Sequence, residues 1–487
     1  MFLRHSDQLA RSVALGYFCL LFSGFRTRHS LKCCGHIGLL PARLTARRVE
    51  PDTPLFPQSH ARLVPVEDRV QILRNTAKVL RDGKADYAKL ITLEMGKPIT
   101  EAEAEIEKCA KTAEYYAEHA PRFLAPEIIE SDAAESGVVF DPLGVVLAVM
   151  PWNYPFWQFF RFALPALAAG NGAILKHANN VPASALAVEE IMNKAGLPAG
   201  LFATLLIESN RVAALIADDR IAAVTLTGST EVGRLVAGQA GNALKKQVLE
   251  LGGSDPFIVL ADADIKAAAK VAVKARFTNN GQSCVNAKRF IVDEKVADEF
   301  VAEFLAHTKE LVVGDPTDRA TTIGPMAREN LRAELHDQVT RTVENGGKII
   351  LGGNIVDGPG YFYEPTVIDH VRPGQAAFDE ETFGPVAAII RVSSTEEAIT
   401  LANQTEFGLG AALWTRDTKK ATALLRHIDA GAVFINGMVA SDPRLPFGGI
   451  KGSGYGRELG SYGIREFTNM KTFWAGTATS ATPAVAD

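Results

Sequence analysis

Apolar and polar positions fall into regular periods from about Val64 onward. Val70, Leu73, Ala77 and Leu80 recur at three- and four-residue spacing, which predicts an amphipathic helix, and a second helix is predicted over residues 85–94. A third covers residues 101–118, with Ile106, Ala110 and Ala113 on one side and acids on the other. An extended run at 137–140, a turn at Asp141-Pro-Leu-Gly144 and an apolar run at 145–150 then predict a hairpin or strand pair. Beyond it the period switches back and forth. Strands are predicted at 173–176, 202–206, 222–226, 256–260 and 288–292, with helices at 183–194, 209–217, 231–240 and 265–277 between them. Strands that alternate with helices form parallel βαβ units covered on both faces, so the expected fold class is α/β with a doubly wound sheet. No repeat of fixed period interrupts this order, and residues 475–487, rich in Ala, Thr and Ser, are expected to fray.

A length of 487 residues corresponds to two to four domains. Apolar residues make up 47% and charged residues 22%, which excludes a wholly disordered chain. The net charge of −5 recommends neither nucleic acid nor a membrane surface as partner. Five cysteines, two of them in residues 61–487, do not make a disulfide framework and fit a reducing compartment. Residues 1–50 differ in character: eight Lys or Arg against Asp7 and Glu50 give +6 and leave −11 for the rest. Arg-rich, acid-poor composition beside the apolar run 13–25 is that of an organelle transit segment, or of an N-terminal extension without function. The run is shorter than the roughly 20 residues of a membrane span. The expected location is the cytoplasm, or the mitochondrial matrix if residues 1–50 are a transit segment. No Cys/His grouping has zinc spacing, so no metal site is expected.

Four segments carry candidate chemistry. In Asn280-Gly-Gln-Ser-Cys284 a thiol follows a small-residue turn whose amides supply access and positive potential, although a single cysteine also serves as a small buried hydrophobe. In Leu249-Glu-Leu-Gly-Gly253 a carboxylate ends an apolar strand; it is either a general base with a raised pKa or a strand-end acid facing solvent. In Pro151-Trp-Asn-Tyr-Pro155 the Asn153 carboxamide is placed to donate to an oxyanion, or is a turn-former between prolines. Thr227-Gly-Ser-Thr-Glu-Val-Gly233 links a strand to a helix N-terminus that suits a pyrophosphate, without the middle glycine of the dinucleotide fingerprint.

Taken in order, these motifs resemble the aldehyde dehydrogenase superfamily from roughly residue 65 to residue 474. They are Pro151-Trp-Asn153, Lys176, Gly228-Ser-Thr-Glu-Val-Gly233, Glu250-Leu-Gly-Gly253, Gly281-Gln-Ser-Cys284, Glu381-Thr-Phe-Gly-Pro-Val386 and Pro446-Phe-Gly-Gly-Ile-Lys-Gly-Ser-Gly454. The resemblance implies that Cys284 is the nucleophile that forms a thiohemiacetal with an aldehyde, and that Asn153 steadies the oxyanion. It implies that hydride goes to a nicotinamide and that Glu250 activates water against the resulting thioester. For the cofactor it implies Lys176 and Glu381 at the riboses, Phe383 beside the nicotinamide ribose, Gly228 and Ser229 at the pyrophosphate, and Trp152, Asn179, Val232 and Leu251 lining the cleft. It further implies a dinucleotide-binding domain of residues 61–120 and 142–252 and a catalytic domain of 253–430. A small β oligomerisation extension of 121–141 and 464–476 would pair with a neighbouring subunit in a homodimer or homotetramer. Residues 1–60 show no trace of the strands and helix with which relatives begin.

Within the superfamily the chain is most similar to bacterial succinate-semialdehyde dehydrogenases, as at Leu175-Lys-His-Ala178 and Phe434-Ile-Asn-Gly437. Arg161, eight residues after Asn153, sits where those enzymes carry an arginine for the distal carboxylate of the substrate; the other reading is a structural ion pair. Their second arginine is replaced here by Thr278, and Arg444 is a candidate substitute. NAD-preferring relatives often place a glutamate where this chain has Asn179, so NADP is expected to be accepted beside NAD. The expected reaction is NAD(P)-dependent oxidation of succinate semialdehyde. Another aliphatic or aromatic aldehyde, or a non-catalytic binding role for the fold, are the alternatives.

Overall fold

The computed structural model describes residues 64–477, so the basic segment and the missing initial elements noted above lie outside the described residues. Three helices open the described chain: α1 (Val66–Asp82), α2 (Lys84–Met95) and α3 (Ile99–Phe123). The predicted apolar positions of α1 and α3 are buried. Helix α3 continues past residue 118 and through Pro121. The proline ring leaves the Ala117 carbonyl without its helical donor, and Arg74 Nη2 donates to that oxygen at 3.2 Å.

The chain then forms β1 (Glu127–Ile128), β2 (Glu135–Pro142), β3 (Val145–Met150), α4 (Trp157–Ala168), β4 (Gly172–His177), α5 (Pro182–Lys194) and β5 (Phe202–Thr204). Next come α6 (Val212–Ala217), β6 (Ile221–Thr227), α7 (Thr230–Asn242) and β7 (Lys246–Glu250). A second α/β section follows with β8 (Asp255–Val259), α8 (Ile265–Phe277), β9 (Ala287–Asp293), α9 (Glu294–Lys309), α10 (Glu329–Glu344), β10 (Lys348–Leu351) and β11 (Thr366–Asp369). It is completed by α11 (Ala376–Asp379), β12 (Val386–Val392), α12 (Thr395–Asn403), β13 (Gly410–Trp414), α13 (Thr418–Leu424) and β14 (Ala432–Ile435). The last elements are β15 (Gly454–Tyr455), α14 (Gly460–Glu466) and β16 (Thr468–Ala475).

Two large sheets result. The first has the order β15-β7-β6-β3-β4-β5 and is parallel except for β15. The second has the order β10-β11-β12-β9-β8-β13-β14 and is parallel except for β10. In the first sheet the chain moves outward from β3 to β4 and β5, then returns to the other side of β3 for β6 and β7. A sheet wound this way opens a crevice at the carboxyl ends of its strands where the direction reverses, here between β3 and β6.

The predicted hairpin at 137–150 does not form. Strand β2 joins β1 and β16 in a separate three-stranded antiparallel sheet, whereas β3 becomes a central parallel strand. The reason lies in Val145-Val-Leu-Ala-Val-Met150, an unbroken apolar run buried on both faces, as a central parallel strand requires. The small sheet also differs from the expected extension in extent: residues 121–123 belong to α3 and 464–466 to α14. Its strand β16 pairs with β2 of the same chain, from Thr468 opposite Pro142 to Ala475 opposite Glu135.

Candidate functional site

Strand β7 ends at Glu250 and the chain enters β8 at Asp255, so the carboxyl ends of one sheet and the amino ends of the other border a common space. Glycine is required in this passage. A Cβ on Gly253 would lie 2.7 Å from the Cys284 carbonyl oxygen, and one on Gly252 would lie 2.5 Å from Glu381 Oε2.

The Cys284 loop leaves α8 through Asn279, Asn280 and Gly281, with φ of 58°, 56° and 72°. Asparagine tolerates this left-handed region because its short amide bonds locally. Asn279 Nδ2 donates to the carbonyls of Asn153 and Gln282, each at 2.9 Å, and Asn280 Nδ2 donates to Gly96 O at 2.9 Å. Two buried cations hold the loop from behind. Arg276 donates to the carbonyls of Gly281, Thr382 and Gly384, which ties the cysteine loop to the segment carrying Glu381 and Phe383. Lys288 donates to Ser283 O at 3.0 Å and Cys284 O at 2.9 Å and stands 3.4 Å from Glu381 Oε1. Sequence reading passed over both. For Lys288 the available signal was its pairing with Arg289 in a strand that is otherwise mostly apolar; Arg276, in the last turn of α8, had none.

Cys284, Glu250 and Asn153 come together as the motifs imply; Glu250 has the raised pKa expected of a general base, whereas Cys284 does not have the thiolate character expected of its turn. Cys284 is half-buried, and burial pushes its thiol up to about 12, with the Arg161 and Lys288 charges pulling back and Glu381 and Glu250 adding to the rise. The anticipated positive potential of the turn is outweighed by desolvation, so the resting sulfur is a thiol. Glu250 is buried, and neither carboxyl oxygen has a hydrogen-bond partner. Burial raises its pKa well above the carboxylate range; Arg161 opposes this and Glu458 reinforces it. The solvent-facing reading of Glu250 is therefore excluded. Asn153 is buried and donates from Nδ2 to Gln282 O at 3.1 Å, which fixes its carboxamide beside the loop that presents Cys284. His177 at the end of β4 braces the same turn. Its Nδ1 accepts from the Ala178 amide, so Nε2 carries the proton donated to Pro155 O at 2.8 Å.

Arg161 lies on α4, whose every residue is buried, and its guanidinium is ion-paired with Glu458. Nη2 also donates to Thr227 Oγ1 at 3.2 Å, and the group stacks 4.7 Å over the Phe447 ring. The structure places Arg161 in an ion pair with Glu458, a partner that sequence reading missed. Arg444 is not part of the site: it is exposed and binds Asp442 through Nε and Nη2. A side chain with an acid two residues away on the surface meets its counter-charge there. Thr278 Oγ1 donates back to Lys274 O.

The loops at the carboxyl ends of β4, β6 and β7 form the candidate cofactor cleft. Lys176 Nζ donates to Asn179 Oδ1 at 3.3 Å and Ser209 Oγ at 3.2 Å, and Asn179 Nδ2 donates to Glu208 Oε2. Gly228 has open space where a Cβ would project, and Ser229 caps α7 by accepting from the Val232 amide. Val232 is exposed, and Leu251 packs beneath against Gly233. Glu381 Oε1 accepts from the Gly253 amide at 3.1 Å, and Phe383 meets Trp152 edge to face at 5.8 Å. An open helix N-terminus, a lysine bonded to Asn179 and Ser209 with the Glu208 charge nearby, and an exposed apolar shelf fit a nicotinamide dinucleotide.

The aldehyde dehydrogenase family profile matches residues 56–473. The probable NADP(+) succinate-semialdehyde dehydrogenase of Synechocystis is 52% identical over 413 residues, spanning 85% of this chain and 91% of that protein. The NADP(+) succinate-semialdehyde dehydrogenase of Mycobacterium avium is 50% identical over 415 residues, spanning 85% and 88%. Among solved structures, the succinic semialdehyde dehydrogenase of Streptococcus pyogenes in complex with NADP+ has a TM-score of 0.83 at 39% identity, covering 86% of this chain and 94% of that one. With its sheets, its cysteine loop and its glutamate arranged as described, the chain belongs to the aldehyde dehydrogenase family.

Proposed function

We propose that this protein oxidises succinate semialdehyde to succinate with NADP+, and also accepts NAD+. The observation that carries the reading is a buried carboxyl, Glu250, left without any hydrogen-bond partner within electrostatic reach of a single thiol, Cys284. An orphaned buried acid is costly unless a reaction uses it. Similarity to relatives named for this substrate and for NADP supports the choice of aldehyde and cofactor.

Cys284, once deprotonated, adds to the aldehyde carbon, and the oxygen of the adduct is stabilised by Asn153 Nδ2 and the Cys284 amide. Bound NADP+ would supply the hydride acceptor, held by Lys176 and Ser209 on one side and Glu381 on the other. The thioester left on Cys284 is cleaved by water, whose proton Glu250 takes in its carboxylate form. Sulfur leaves as thiolate and succinate is released. Asn179 and Ser209 present no charge of their own to a 2′-phosphate near Lys176.

Formation of NADPH or NADH with succinate semialdehyde, butanal and benzaldehyde tests the reading. Succinate semialdehyde is expected to give the highest kcat/KM, and the NADP and NAD efficiencies are expected to lie within about a thousandfold of each other. A higher efficiency for either uncharged aldehyde contradicts the substrate, and a wider cofactor ratio contradicts the dual use.

We also propose a homodimer or homotetramer built through the three-stranded sheet. One edge of β16 has no partner strand among the described residues, and Met470, Trp474 and Ile128 are exposed on this sheet.

A further inference from the structure

Two acids one turn apart on α3 hold the two halves of the reactive site. Glu105 Oε1 accepts from the amides of Phe156 and Trp157, both at 2.9 Å, and so anchors the start of α4 just after the Asn153 turn. Glu101 lies in the first turn of α3, and its Oε2 accepts from the Asn279 amide at 2.6 Å. Residues four apart share one face of a helix, so a single element sets the spacing between the Asn153 turn and the Cys284 loop. Glu105 is paired with Lys97, whereas Glu101 forms no ion pair among the described residues.

Asn279 carries this contact to the chemistry. Its backbone is left-handed, with φ of 58°, a conformation that a residue with a side chain keeps only when its surroundings hold it. Its Nδ2 donates across the site to the carbonyls of Asn153 and Gln282, each at 2.9 Å. Asn153 Nδ2 donates to the same Gln282 oxygen, two residues before Cys284, at 3.1 Å. Asn280 is anchored separately, by the carbonyls of Gly96 and Pro325 and by the Gly324 amide. Loss of the Glu101 carboxyl therefore frees Asn279 while the rest of the loop stays held.

We propose that Glu101 is a positioning residue for acylation. By fixing the Asn279 amide it keeps the Asn279 carboxamide bridged between Asn153 and Gln282, and so sets the oxyanion donor against the attacking sulfur. The proposal rests on the reading of Cys284 as nucleophile and Asn153 as oxyanion donor. A displacement of about 1 Å between reacting groups costs about 100-fold in rate. Entry of aldehyde and cofactor does not depend on that spacing, so the loss falls on kcat and not on KM.

The test is the rate of the first NADPH formed on rapid mixing with succinate semialdehyde and NADP+, with NADP+ binding followed by fluorescence to verify folding. Glu101→Ala is expected to slow it about 100-fold with KM little changed. Glu101→Gln, whose amide oxygen accepts from the same N–H, is expected to stay within about fivefold of wild type, and Glu101→Asp, which keeps the charge but draws the acceptor back, to be slow. Asn279→Gly tolerates the left-handed backbone but lacks the bridge; in that background Glu101→Ala is expected to cost less than about fivefold. A wild-type rate in Glu101→Ala, equal losses in the Ala and Gln variants, or the same loss with and without Asn279 overturns the proposal and leaves the reading of Cys284 standing. If Glu101→Ala does not bind NADP+, the other pair decides: a faster Gln variant supports the proposal, and an Asp variant as fast or faster overturns it. Turnover that survives Cys284→Ala overturns the reading of the site and this proposal with it.

Discussion

Burial pushes the Cys284 thiol up to about 12, so around neutral pH the sulfur is overwhelmingly protonated in the protein alone. Alkylation of Cys284 by iodoacetamide is therefore expected to accelerate about tenfold per pH unit between about pH 7 and 9, without levelling. A plateau below about pH 8 in the protein without cofactor contradicts the buried-thiol state. Glu250 faces the mirror problem: its pKa is raised, its carboxylate form grows as pH rises, and base assistance follows in that direction. The identities of Cys284, Glu250 and Asn153 were legible from short motifs, because each needs one residue type beside glycine or proline. The raised pKa of Glu250 was also expected; the protonated state of Cys284 was not, because it depends on burial set against Arg161 and Lys288, which packing brings around the loop. Arg161 is the clearest instance. Its position on α4 was visible, but its partner Glu458 lies 297 residues downstream and no local pattern joins them.

Helices and parallel strands were readable where one period runs for several turns, as in α1, α3 and the alternation from β4 to β9. The error at β2 and β3 has a definite cause. Two apolar runs joined by Asp-Pro-Leu-Gly have the same pattern as a hairpin, and the deciding partner, β16, lies at the far end of the chain. The small sheet that results ends on β16, whose outer edge is unpaired among the described residues, with Met470 and Trp474 exposed. Sedimentation of the full chain at micromolar concentration is expected to show a dimer or tetramer, and Met470→Asp is expected to weaken it about tenfold or more by placing a charge in an apolar contact. A monomeric wild type contradicts the proposed assembly.

At the scale of the whole molecule, the site lies where winding forces a crevice. Reversal between β3 and β6 gathers the loops of Asn153, Lys176, Gly228 and Glu250 at one end of the first sheet, and the short link through Gly252 and Gly253 brings the second sheet and Cys284 against them. That convergence was implied by motif order; the buried cations Arg276 and Lys288 that support it were not, since packing rather than motif decides which carbonyls they hold. No helix among the described residues is long and apolar enough to cross a membrane. The central claim is a division of labour between Cys284, which takes the acyl group, and Glu250, which lets water remove it. Rapid mixing of Glu250→Gln with succinate semialdehyde and NADP+ tests it most directly. The expected result is a burst of about one NADPH per site followed by turnover slowed about 10²–10⁴-fold, with acyl label retained on Cys284. Steady turnover at the wild-type rate without a trapped acyl-enzyme would contradict it.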